Sequence, residues 1–137
     1  MRRTTLLLAI SLTISPAWAE RTQSPDGAQA YFISPTDGAE VINPVTVQFG
    51  LKGMGVAPGG TVAPNTGHHH LIIDSELPPL DQPIGKDDKH LHFGGGQTET
   101  TIELPPGQHT LQLLLGDHLH IPHEPPVMSE KITITVK

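Results

Sequence analysis

Fourteen prolines and fourteen glycines are spread through the 137 residues, and no segment carries a helical hydrophobic period. Proline removes a backbone donor and glycine is entropically costly inside a regular element, so short strands joined by turns remain. Seven segments read as strands: 30–33, 43–51, 68–74, 90–93, 98–104, 108–117 and 127–136. Alternation is clearest where Val45, Val47, Phe49 and Leu51 face one way and Thr46, Gln48 and Gly50 the other. Ile132, Ile134 and Val136 repeat that pattern near the C-terminus. About seven short strands with turn signals between them predict an all-β domain. Its expected form is an immunoglobulin-like antiparallel β-sandwich with long Pro/Gly/His-rich loops. A jelly roll or small barrel is the alternative.

The first nineteen residues read as a signal peptide. Arg2 and Arg3 precede an apolar run from Leu6 to Ile14, and Ala17-Trp18-Ala19 supplies a cleavage site. The run is too short to span a bilayer, and the leader holds no cysteine for a lipid anchor. Cleavage leaves 118 residues, with 20–29 expected as a flexible arm and 30–137 as one domain. The expected location is the periplasm. Without the leader, six basic residues face fourteen acidic ones, a net charge of −8. A chain so acidic lacks the basic patch that nucleic acid or an anionic membrane needs. The absence of cysteine excludes thiol chemistry and a disulfide-stapled scaffold.

Histidine is the over-represented chemistry. All nine histidines lie between His68 and His123, in three groups plus a single His109. The groups are His68-His69-His70, His90 with His92, and His118 with His120, followed by His123. Side chains at i and i+2 of a strand share a face. His68 and His70 therefore point together, while His69 follows Leu71 and Ile73. His90 pairs with His92, and His118 with His120, by the same rule. Imidazole suits zinc and copper, and rings from two strands more often meet at one metal than two rings from one strand. The candidate metal ligands are His68, His70, His90, His92, His118, His120 and His123. Soft Cu(I) would need these with Met54 or Met128. Asp74 and Asp117 are candidates to orient a ring through its second nitrogen, and a turn role suits Asp117 equally. Glu124 reads as a solvated turn residue and His109 as a strand-end residue. The alternative for all nine histidines is loop scaffolding through backbone carbonyls.

No nucleophile elbow, phosphate loop or metalloprotease helix is present. Ser75 and Ser129 lack context, Gly94-Gly95-Gly96 lacks a following Lys-Ser/Thr, and His123-Glu124 runs into two prolines.

Segments 64–74 (PNTGHHHLIID), 90–123 (HLHFGGG through GDHLHIPH) and 125–136 (PPVMSEKITITV) resemble a bacterial secreted family known as domain of unknown function 4399. Residues 32–58 resemble its N-terminal part. The resemblance implies a short exported or periplasmic protein and brings no catalytic residue with it. The opening SPTDGAEV…PVTV is also similar to bacterial immunoglobulin-like modules and copper-resistance β-sandwich proteins.

Three functions compete. The first is a periplasmic copper- or zinc-binding protein that buffers or delivers the ion. The second is an envelope module whose histidines organise loops or bind a partner protein. The third is a metalloenzyme, which would need an open coordination position.

Overall fold

A computed structural model describes residues 20–137. The expected signal peptide, 1–19, lies outside the described residues. The domain is all-β, with nine strands in two sheets. They are β1 (Gln29–Ser34), β2 (Glu40–Val41), β3 (Val45–Lys52), β4 (Gly55–Val56), β5 (Thr66–Ile73), β6 (His90–His92), β7 (Glu99–Ile102), β8 (Gly107–Gly116) and β9 (Ile132–Val136). One sheet has the order β1-β3-β7. The other runs β2-β9-β8-β5-β4, with β6 also paired to β5.

All seven segments read as strands from the sequence contain one. The two additional strands, β2 and β4, are two residues long and pair in parallel with β9 and β5. This corrects the expectation of a purely antiparallel arrangement. Both short strands lie in stretches dense in turn residues, where two residues cannot show a period. They are recruited by long neighbours with unpaired backbone groups, which must find partners.

One apolar cluster joins the two sheets. Ala30, Val45, Val47 and Phe49 come from the smaller sheet; Leu71, Ile73, Leu111, Leu113, Ile132, Ile134 and Val136 come from the larger, with Phe93 just beyond β6. The alternation read from the sequence decides which residues enter it. In β3, Val45, Val47 and Phe49 are buried and Thr46 is exposed.

The larger sheet is covered on its other face too. Ile72, Ile84 and Leu114 form a second buried cluster, backed by Leu77, Leu80 and Met128. Residues 75–89 run across this face, which is why β5 and β8 carry apolar residues on both sides. A strand buried on both faces loses its alternation and reads as a continuous run. Leu111 through Leu115, broken only by the buried Gln112, is such a run.

The segment expected as a flexible arm is docked. Residues 22–24 run parallel to 124, exchanging backbone hydrogen bonds: Glu124 N–H donates to the Thr22 carbonyl and Ser24 N–H to the Glu124 carbonyl. Arg21 donates to the Pro122 and His123 carbonyls and pairs with Glu124. Its polar composition disguised a segment whose partners are backbone groups of a distant loop.

Candidate metal centre

Strand register creates the site. Residues opposite one another in a sheet share a face. His92 of β6 lies opposite His70 of β5, and Leu114 of β8 lies opposite His70 on the other side. Two residues along, His68 of β5 faces Gly116 of β8. The imidazoles of His68, His70 and His92 therefore crowd the outer face of the larger sheet, beside the Ile72–Ile84–Leu114 cluster. A fourth ring arrives from the loop after β8. Gly116 offers no side chain, and the chain turns back over it to place His120 there.

That turn is built by Asp117. Its Oδ1 accepts hydrogen bonds from the amides of Leu119 (2.8 Å) and Ile121 (3.0 Å), and its Oδ2 accepts one from the Thr22 hydroxyl (2.7 Å). Burial alone would raise the Asp117 pKa; these donors outweigh it and hold the carboxyl ionised below the usual range. His120 itself sits at φ 65°, a left-handed conformation uncommon outside glycine and often found at functional sites.

His68, His70, His92 and His120 each offer a ring nitrogen, all within 4.8 Å of one another. His68 and His70 are buried, and His92 and His120 are half-buried. His120 Nδ1 and His68 Nε2 are 2.8 Å apart. Both nitrogens of His70 and Nε2 of His92 are buried without a hydrogen-bond partner. A buried polar atom left unpaired costs about 1–3 kcal/mol, so such atoms cluster where something else satisfies them. Here four ring nitrogens gather within 4.8 Å of one another, and an ion among them would satisfy them together.

Three of the four rings are biased toward the neutral form that binds metal. Burial, reinforced by mutual repulsion with His120 and His92, lowers the His68 pKa to about 4. Burial and the neighbouring rings lower His70 to about 3. The His92 pKa is lowered as well, by burial and then by His120. Neutral imidazole is the ligand form, so these lone pairs are available well below neutral pH.

Glycines shape the cradle. A Cβ on Gly94 would stand 2.3 Å from His92 Cε1, and one on Gly116 would stand 2.8 Å from His70 Cε1. Gly59, whose amide donates to the Gly94 carbonyl, lies against His120 Cε1 in the same way (3.0 Å). Backbone thus packs directly on three of the four rings. Nothing in the sequence marks this role of Gly94, whose run 94–96 carries no period of its own.

The other histidines are placed elsewhere. His90 shares a strand with His92, yet its Nδ1 bonds Asp87 Oδ1 at 2.8 Å. His118 is on the turn outside the four-ring cluster, and its carbonyl accepts from Gly60 N–H. The expected pairing of His118 with His120 assumed a strand; the Asp117 turn replaces it and separates the two. His123 is buried under the docked N-terminal segment, with Nε2 3.3 Å from the Thr66 carbonyl. Hence His90, His118 and His123 do not join the cluster. His69 points the other way, as its neighbours Leu71 and Ile73 required, and its ring packs 5.2 Å from Phe49 between the sheets.

Neither carboxylate orients a ring of the cluster. Asp74 sits at the opposite end of β5, where it accepts from His109 Nδ1 (2.6 Å) and the Thr110 amide (2.9 Å). His109 also donates Nε2–H to the Pro105 carbonyl (2.7 Å). Facing two acceptors, its ring is favoured in the doubly protonated form, and the Asp74 carboxylate raises its pKa. Asp117 acts on the cluster through the backbone of the His120 turn.

The family described as "Domain of unknown function (DUF4399)" matches residues 47–137. The chain belongs to this family. The matched DUF4399 region holds all nine histidines, the three cradle glycines and Asp117, while Thr22 and β1 precede it. No curated protein and no solved structure matches the chain. Among the described residues, no helix is long and apolar enough to cross a membrane.

Proposed function

We propose that this is a periplasmic metal-binding protein that holds one zinc or copper ion on His68, His70, His92 and His120, for buffering or delivery. The observation that carries this reading is the gathering of four ring nitrogens, three of them from adjacent strands, on two buried and two half-buried rings, with both nitrogens of His70 and Nε2 of His92 otherwise unpaired. The leader at 1–19 supports export to a compartment that handles such ions. Two sheets joined through one apolar cluster support an immunoglobulin-like sandwich as the scaffold.

Four protein ligands favour holding an ion over catalysis with it. Catalytic zinc sites keep a position open for water or substrate, and structural sites fill all four. The part exposure of His92 and His120 gives the ion one side from which to arrive and leave. The scaffolding reading suits His90, His109 and His123. They contact Asp87, Asp74 with Pro105, and Thr66 respectively, and so tie loops to strands.

The test is metal content by elemental mass spectrometry on untagged protein purified without chelators. About one zinc or copper per chain is expected, as for a single four-histidine site. H92A and H120A variants should lose it, and H90A and H118A should keep it. Metal retained in H92A and H120A would refute the assignment.

A further inference from the structure

The arrangement of the four rings says more than that a metal fits, and this step rests on the metal-binding reading above. Ring centroids separate His68 from His70 by 4.8 Å, from His92 by 5.0 Å and from His120 by 4.8 Å. His92 is 5.1 Å from His70 and 4.8 Å from His120. The sixth separation, His70 to His120, is 6.2 Å. Five near-equal distances define two triangles that share the His68–His92 edge. A tetragonal ion approaches a square, in which sides of about 5 Å would put both diagonals, His68–His92 and His70–His120, at about 7 Å. A regular tetrahedron would put them at about 5 Å, equal to the other edges. The observed diagonals, 5.0 and 6.2 Å, both fall short of the square and the first matches the tetrahedral edge, so the four rings are folded out of a plane.

The donor set narrows the ion further. It contains four imidazoles and no thiolate, since the chain has no cysteine, and Met128 packs into the Ile72–Ile84–Leu114 cluster. The carboxylate that builds the His120 turn, Asp117, has both oxygens engaged with Thr22, Leu119 and Ile121. Soft Cu(I) selects thiolate and thioether, and Cu(II) selects tetragonal nitrogen and oxygen sites. An all-nitrogen tetrahedron suits zinc, whose filled d shell imposes no competing geometry.

We propose that the His68–His70–His92–His120 site is a closed tetrahedral zinc(II) site, selective by shape against tetragonal Cu(II) and by donor chemistry against Cu(I). A tetrahedron with 2.0–2.1 Å bonds has nitrogen–nitrogen edges of about 3.3–3.4 Å. To reach it, the more distant donors draw inward from a spread of up to 4.8 Å, and His68 Nε2 and His120 Nδ1, now 2.8 Å apart, ease slightly outward. The backbone cradle at Gly59, Gly94 and Gly116 occupies the flanks of three rings, which opposes flattening toward a plane.

Cobalt(II) reports the geometry directly. The untagged, metal-stripped protein is titrated with Co(II) and its visible spectrum recorded. Four-coordinate Co(II) should absorb at least about tenfold more strongly than the octahedral aquo ion, because a tetrahedral site lacks an inversion centre. The band should vanish on adding one equivalent of Zn(II), and should fail to form in H70A or H92A. Parallel competitions then use Cu(I) under anaerobic conditions, and Cu(II) with electron paramagnetic resonance. Faint Co(II) bands together with a tetragonal, nitrogen-rich Cu(II) spectrum would overturn the zinc assignment while leaving metal binding intact. A preference for Cu(I) over Zn(II) of tenfold or more would also overturn it. If none of the four ions binds stoichiometrically, the metal-binding reading falls with it.

Discussion

Single residues at this site answer to space and proton affinity. Gly94 has no side chain because the His92 ring occupies that volume; an added Cβ would overlap Cε1 at 2.3 Å. Gly94→Ala should therefore turn the His92 ring and weaken metal binding about 10–100-fold, the usual cost of losing a ring's orienting support. Isothermal titration, with circular dichroism to confirm the fold, would measure it; unchanged affinity would show that the ring turns freely. Proton affinity sets a second expectation. In the unfolded chain these imidazoles take up protons near pH 6.5, whereas in the folded protein His68 and His69 resist to about pH 4 and His70 to about 3. Between those limits the unfolded state binds more protons. Stability of the metal-free protein is thus full above the unfolded pKa and is lost as pH falls through the window. Urea midpoints measured from about pH 7.5 down to about pH 4.5 should decrease steadily. His109 has the opposite sign. Its raised pKa adds stability that is present below pH 6.5 and is lost as pH rises through the raised value. Its single, partly exposed ring is outnumbered by the buried rings.

Elements supply what no residue can. Strands β5 and β6 bring three rings together by register, and the loop after β8 supplies the fourth only because Asp117 holds it. The clasp extends to the N-terminal segment, where Thr22 donates to the same carboxylate. Asp117→Ala removes three hydrogen bonds from a buried group, and the loss should be about 1–3 kcal/mol in a chemical denaturation series. It should also reduce metal affinity, since His120 would no longer be fixed at φ 65°. Thr22→Val removes only the arm's contact and should show the same pattern more weakly. If Asp117→Ala lowered stability with affinity untouched, the turn would be a structural device independent of the site.

At the scale of the whole molecule, the site sits on the outer face of the larger sheet and bridges β5, β6 and the loop after β8. These segments are far apart in sequence, so an ion that joins them binds the folded chain and not the unfolded one. Free metal at a hundred times the dissociation constant should stabilise the protein by about 2.7 kcal/mol. Thermal unfolding with zinc, and again after EDTA, should show a clear rise and its reversal in the wild type. The H92A variant should show neither. Covering both faces of β5 and β8 also explains how a short chain without disulfides supports two apolar clusters.

The strands were legible because a half-buried strand must alternate, and the alternation in β3 and β9 names its own inward residues. The sorting of the triplet was legible for the same reason: His69 inward with Leu71 and Ile73, His68 and His70 outward. The family was legible in its histidine and Pro/Gly segments. The membership of the site was not. His90 and His92 are equivalent by spacing, as are His118 and His120. Only tertiary structure gives His90 to Asp87 and turns His118 away from His120. Two-residue edge strands, a polar arm with backbone partners, and glycines that yield to a ring also leave no period to read. Periodicity records which side of a strand is buried. Which histidines meet depends on register and on one turn, and both are set by contacts between residues remote in the chain.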